Sequence, residues 1–153
     1  MELILWRHAE AEDGSDDLAR ALTPRGRRQA ARMAQWLKSH APGPWQVLVS
    51  PASRTVETAS ALHLPFFVRD ELKPGAQARE VLAVAGWPDG QGTVVVVGHQ
   101  PTLGEATALA LTGMALPWSL RKGAMVWLTA RDQEHLIPVQ LRASLSPDLL
   151  TES

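Results

Sequence analysis

Cysteine and tyrosine are both absent from the 153 residues, and phenylalanine occurs only twice. Without cysteine there is no disulfide, no thiol nucleophile and no Cys-type zinc or iron–sulfur site. Without tyrosine there is no phenolate base. A basic excess is missing as well: 15 Lys and Arg face 16 Asp and Glu, for a formal net charge of -1. Such a balance gives little general attraction for nucleic acid, leaving only the prospect of a local basic pocket. Long hydrophobic runs are wanting too, since the strongest is Val94 to Val97. The stretch 106–118 is apolar but short, and Thr107, Thr112, Gly113 and Pro117 interrupt it. The start Met1-Glu2-Leu3-Ile4-Leu5 has no positive leader, so a cytoplasmic protein is expected.

What is present is ordinary for a globular domain: 45% hydrophobic and 20% charged residues. Apolar runs at 2–6, 45–49, 66–68 and 93–97 read as strands, the first buried on both faces and the last the clearest, being β-branched throughout. Helices are expected from Thr23-Pro24, with Thr23 as cap, to before Pro42, then over 53–62, 78–85 and 103–111. Two late strands, 124–129 and 136–141, suggest a hairpin through Arg131-Asp132-Gln133, with a frayed tail after Ser144. Strands alternating with helices predict one α/β domain over 1–153, a three-layer α/β/α sandwich around a mostly parallel, mixed sheet.

Three predicted strand exits carry the chemistry. The first ends in Arg7-His8, the second in Ser50-Pro51 with Arg54 one turn on, and the valine-rich one in Gly98-His99. Ligands of open α/β sheets bind beyond the carboxyl ends of the strands. If these three strands are parallel neighbours, two histidines and two arginines meet there. Arginine forks match phosphate oxygens, and a neutral imidazole is a nucleophile toward phosphorus. Guanidinium charge nearby also keeps an imidazole neutral.

Leu5-Trp6-Arg7-His8-Ala9-Glu10, the segment 20–26, Val49-Ser50-Pro51 with Arg54 and Thr58, and Val97-Gly98-His99-Gln100-Pro101 together resemble the motifs of the histidine phosphatase superfamily. The likeness is carried by four motifs in the right order. The short interval between the motif of Ser50 and Arg54 and that of His99 resembles the SixA-like phosphohistidine phosphatase branch. The resemblance implies a phosphoglycerate mutase-like fold. It implies that His8 is phosphorylated, that Arg7, Arg54, His99 and Gln100 hold the phosphoryl group, and that Arg20 lines the pocket rim. No metal and no cofactor are implied. The substrate it implies is phosphohistidine on a partner protein such as a histidine phosphotransfer domain, with no role for nucleic acid or membrane. A small-molecule phosphomonoesterase and a non-catalytic phosphate-binding module are the alternatives.

Two departures from the pattern stand out. Ala9 replaces the glycine usual after the nucleophile, and the mutases' acid has no clear counterpart, although Glu71 and Glu80 lie in its interval. Arg25, Arg27, Arg28 and Arg32 read as a solvated helix face, and His40, His63 and His135 as structural or surface residues. Of the six tryptophans, Trp6, Trp36 and Trp127 are expected in the core, and Trp118 near the pocket.

Overall fold

A computed structural model of the chain describes residues 1–131 and 138–150. In chain order the elements are β1 (Glu2–Arg7), α1 (Pro24–His40), β2 (Trp45–Val49), α2 (Ser53–Ser60), β3 (Phe67–Val68), α3 (Ala78–Ala85), β4 (Thr93–Gly98), α4 (Thr102–Thr112), β5 (Met125–Ala130) and β6 (Val139–Leu145). The expected hairpin turn at 131–133, the start of the last strand at 136 and His135 involve positions outside the described residues. From Val139 onward, β6 pairs antiparallel with β5.

The sheet order is β3-β2-β4-β1-β5-β6. The first four of these strands are mutually parallel, and β5 joins β1 antiparallel. The condition set by the sequence is therefore met, because β2, β4 and β1 are adjacent parallel strands. Side chains alternate along each strand between two cores. Ile4, Trp6, Val47, Val49, Val95 and Val97 pack under α1 and α2 with Met33, Leu37 and Ala59. Leu3, Leu5, Leu48, Val94 and Val96 pack on the other face with Val81 and Leu82 of α3 and Leu103 of α4. This is the expected sandwich. Each such side chain taken fully out of water contributes about 1.5–3 kcal/mol before the cost of ordering it.

Local chemistry sets the helix ends. The Thr23 hydroxyl accepts from the Gly26 N–H at 2.9 Å, and Pro24 opens α1. Gly86 and Gly113 close α3 and α4 in left-handed conformation, at φ 74° and 80°. Gly26 serves a different need, since a Cβ there would lie 2.0 Å from the Glu10 carbonyl oxygen. Only glycine lets the start of α1 press against the segment that leaves β1.

The tail corrects an expectation. Rather than fraying after Ser144, the chain extends β6 to Leu145 and adds a 3-10 turn, Pro147–Leu149, with Pro147 buried. Leu145 and Leu150 both pack on the first core. The apolar spacing of Leu145, Pro147 and Leu150 is too sparse to read as an element, but it suffices to seat a short segment. Of the tryptophans, Trp6 and Trp127 are buried and Trp36 packs beside them, its ring edge-on to Trp127. Trp118 is exposed. Among the described residues no helix is long and apolar enough to cross a membrane.

Candidate functional site

Strand register places the site. Arg7 of β1 pairs with Gly98 of β4, so the next residues, His8 and His99, leave two adjacent strands at the same level. The His8 N–H still donates to the Gly98 carbonyl at 3.1 Å. The two imidazole rings lie with centroids 5.4 Å apart, tilted by 55°. From the other side, the Ser50 N–H donates to the Val97 carbonyl at 3.1 Å, which brings the β2 exit against β4. Arg54 follows in the first turn of α2. His8, Arg54 and His99 are buried, and Arg7 is partly so.

Each side chain is held by identifiable partners. His8 Nδ1 lies 2.7 Å from the Ala9 carbonyl oxygen. A carbonyl only accepts, so Nδ1 carries the proton and Nε2 keeps its lone pair. The Ala9 N–H donates to Thr58 Oγ1 at 3.1 Å, and that hydroxyl donates to the Arg54 carbonyl at 2.7 Å. Thr58 thereby ties the backbone after His8 to the helix that carries Arg54. Arg7 Nη1 donates to the Leu120 carbonyl at 2.7 Å. His99 Nε2 is 2.7 Å from the Ser50 hydroxyl. Arg7 Nε, Arg54 Nε and His99 Nδ1 are buried with no hydrogen-bond partner among the described residues. Three such nitrogens in one site require an explanation, and a bound oxyanion supplies one.

Both histidines are neutral at physiological pH. Burial lowers the His8 pKa to about 4; the charges of Arg54, Arg7 and Arg20 push the same way, against the hydrogen bond to Ala9. For His99 burial again leads, followed by Arg54 and His8, and the pKa falls to about 3. These values make stability depend on pH with a definite sign. Between about pH 6.5 and pH 4 the unfolded chain binds protons that the folded site refuses, so stability falls as pH falls. Going from pH 7 to 5 should cost about 2 kcal/mol for each histidine. Urea unfolding at the two pH values, compared with a His8→Gln/His99→Gln variant, checks this. An equal pH slope in both proteins would show that the folded site accepts protons freely.

The loop between β1 and α1 brings in a residue that the sequence did not single out. The Glu12 N–H donates to the Ala21 carbonyl at 2.8 Å, which closes the base of an excursion carrying Asp17 and Arg20. Arg54 Nη1 donates to the Asp17 carbonyl oxygen at 2.7 Å, and Arg54 Nη2 to its carboxylate at 3.3 Å. Arg20 reaches the other oxygen of that carboxylate, Nη2 at 3.0 Å and Nε at 3.2 Å. Desolvation raises the Asp17 carboxyl, but the charges and hydrogen bonds of Arg54 and Arg20 outweigh it and hold the pKa below its usual value. Arg20 is thus coupled to Arg54 through a shared acid.

Gln100 goes elsewhere. Its Oε1 accepts from the Gly104 N–H at 2.7 Å, and its Nε2 donates to the Trp118 carbonyl at 3.1 Å. Pro101 precedes α4 and offers no side-chain cap, so Gln100 caps the helix instead. The two acid candidates also have other surroundings. Glu71 pairs with Arg69, and that hydrogen bond holds its carboxyl below the usual range. Glu80 is exposed in the first turn of α3. Among the described residues no group of three or more His, Asp or Glu side chains is arranged to hold a metal.

Comparison with known proteins agrees with this arrangement. The profile of the histidine phosphatase superfamily (branch 1) matches residues 3–79. The phosphohistidine phosphatase SixA of Escherichia coli is 32% identical over 126 residues, which are 76% of this chain and 78% of that protein. Its homolog in Haemophilus influenzae is also 32% identical, over 71% of this chain and 76% of the other. Among solved structures, the protein histidine phosphatase SixA complexed with tungstate superposes with a TM-score of 0.78 at 28% identity, covering 97% of this chain and 99% of that one. A phosphoserine phosphatase mutant from Entamoeba histolytica, at 19% identity and a TM-score of 0.71 over 98% of this chain and 99% of that one, shares the fold. The chain that sets two neutral histidines beside Arg7 and the buried Arg54 at the exits of β1 and β4 belongs to the histidine phosphatase superfamily, in its SixA-like branch.

Proposed function

We propose that this phosphatase removes the phosphoryl group from phosphohistidine on a partner protein, through a covalent intermediate on His8. The observation that carries the reading is the state of His8. It is a neutral imidazole whose Nδ1–H is held by the Ala9 carbonyl, leaving Nε2 as the nucleophile between Arg7 and Arg54. Nε2 attacks phosphorus as the P–N bond of the substrate breaks, and the departing imidazole leaves with its own ring proton. Phospho-His8, still protonated on Nδ1, is a good leaving group in turn. Water attacks phosphorus, the bond to Nε2 breaks, inorganic phosphate departs with both protons of the water, and neutral His8 is restored.

The arginine forks of Arg7 and Arg54 hold the phosphoryl oxygens. In this reading the Ser50 hydroxyl, 2.7 Å from His99 Nε2, acts as the donor, and the His99 proton sits on Nδ1, buried without a partner among the described residues. From there it donates to a phosphoryl oxygen as charge develops. Ser50 is on this account a positioning residue. The tungstate named for the SixA relative is an oxyanion of the same tetrahedral kind. A non-catalytic binding module would have no use for a nucleophile kept neutral in this way.

The choice of substrate rests on the leaving group. An alkoxide leaves poorly without a general acid, whereas a protonated imidazole leaves without help. Glu71 is an anion tied to Arg69, and Glu80 lies exposed on α3. A small phosphate ester is the second reading: a cavity of about 560 Å³ beside α4, lined by Gln77, Arg79, Thr102 and Glu105, reaches Pro101, two residues past His99, though none of Arg7, His8, Arg54 or His99 lines it. Released phosphate from a phosphohistidine peptide, a phosphoserine peptide and 3-phosphoglycerate separates the two. Phosphohistidine should lead by about 100-fold or more in kcat/KM, the scale of a missing general acid. The reverse order would give the site to a metabolite.

A further inference from the structure

The four arginines of α1 part company in the fold. Arg27 turns to Glu57, with Nη2 3.4 Å from Oε1. Arg25, Arg28 and Arg32 recur at helical spacing on one side. With Gln29, Pro147 and Asp148 they line a groove of about 200 Å³. The second wall of this groove is the 3-10 turn Pro147–Leu149, the tail segment that the sequence did not foretell.

The groove adjoins the catalytic segments. Gln29 Oε1 accepts from the Glu10 N–H at 3.0 Å, just beyond His8. The Gly123 N–H donates to the His8 carbonyl at 2.9 Å. A Cβ on Gly123 would lie 2.8 Å from Pro147 Cγ and 3.5 Å from Gln29 Cβ, so this segment is pressed against the lining of the groove. The same segment holds Arg7 through the Leu120 carbonyl and presents Arg121 and Lys122 to solvent. Arg121 Nη1 is 3.4 Å from the carboxylate of Asp148, the acid in the lining.

Three arginines of the lining, with Arg121 and Lys122 beside them, form a basic surface on a chain of net charge -1. An overall charge near zero exerts no long-range pull on a polyanion such as nucleic acid. A short acidic stretch of protein placed at the catalytic mouth meets the local field alone. We infer that this groove docks an acidic segment of the phosphorylated partner, adjacent to its phosphohistidine. The inference rests on the reading of the site as one for phosphohistidine proteins. It adds the chemistry by which such a partner is selected.

Arg25→Glu/Arg28→Glu tests it. Both positions are exposed and lie at the start of α1, where acidic residues suit the helix dipole, so the fold should be kept. The probes are two synthetic phosphohistidine peptides, one flanked by glutamates and one by lysines, with p-nitrophenyl phosphate as the small substrate. The wild type should prefer the acidic peptide by about tenfold in kcat/KM, and the preference should shrink with added salt. The variant should lose the preference while turning over p-nitrophenyl phosphate unchanged. Equal use of both peptides by the wild type, or an equal loss on all three substrates, would overturn the groove assignment. If neither phosphohistidine peptide is cleaved, the functional reading fails, and the groove is judged by anisotropy with the unphosphorylated acidic peptide. Binding lost in the variant supports it. Equal binding in both proteins, or tighter binding of a single-stranded oligonucleotide than of the peptide, removes it.

Discussion

His8→Ala should abolish turnover, with kcat falling on the order of 10⁴-fold or more, because the nucleophile of the proposed mechanism is gone. It should also abolish the covalent adduct. Brief mixing with a small phosphoramidate, followed by acid-free intact mass measurement, should show a transient phosphoryl adduct in the wild type alone. The fold should survive the change. The His8 ring makes its hydrogen bond to the adjacent carbonyl, and the Ala9 N–H is held by Thr58 rather than by the imidazole. The backbone bond from His8 N–H to Gly98 is untouched as well. A near-normal thermal transition with no adduct places the loss in the chemistry. Residual turnover within about tenfold of wild type would mean that water attacks the substrate directly, with His8 only orienting it.

The parts of this site that were legible in the sequence are those fixed by strands. A buried strand that stops in Arg7-His8, and another that stops in Gly98-His99, announce a polar edge on an apolar sheet. The sequence left open whether those strands are neighbours, and the Arg7–Gly98 register answers it. Asp17 was not legible. It lies in an acidic loop whose composition matches that of a solvated turn, and its partner Arg54 is 37 residues away. The Ser50–His99 contact was hidden for the same reason, since Ser50-Pro51 reads locally as a strand stop. The Gln100 amide answers a local demand that the motif does not show. A helix opened by proline needs a donor satisfied, and the nearest amide side chain meets that need. The basic groove was invisible because its second wall, Pro147 and Asp148, comes from a tail with too few apolar residues to predict as an element.

Arg54 should be the second residue whose loss is severe, and two substitutions separate its two tasks. Arg54→Ala removes a buried fork from the proposed phosphoryl site and should lower kcat/KM on the order of 10³-fold. It also removes one of the charges that add to burial in lowering the pKa of both histidines. The acid limb of kcat/KM, expected near pH 4 in the wild type where His8 becomes protonated, should therefore move up. It should stop short of the ordinary histidine value, because burial is the larger cause of the shift and remains. Arg54→Lys keeps the charge but not the planar pair of donors that spans the Asp17 carbonyl and carboxylate. Its acid limb should stay low while its rate stays poor. An alanine variant with a depressed rate and an unmoved limb would mean that Arg54 binds phosphate without setting the charge state of His8. A lysine variant restored to wild-type rate would mean that the site needs a positive charge there and makes no use of the fork.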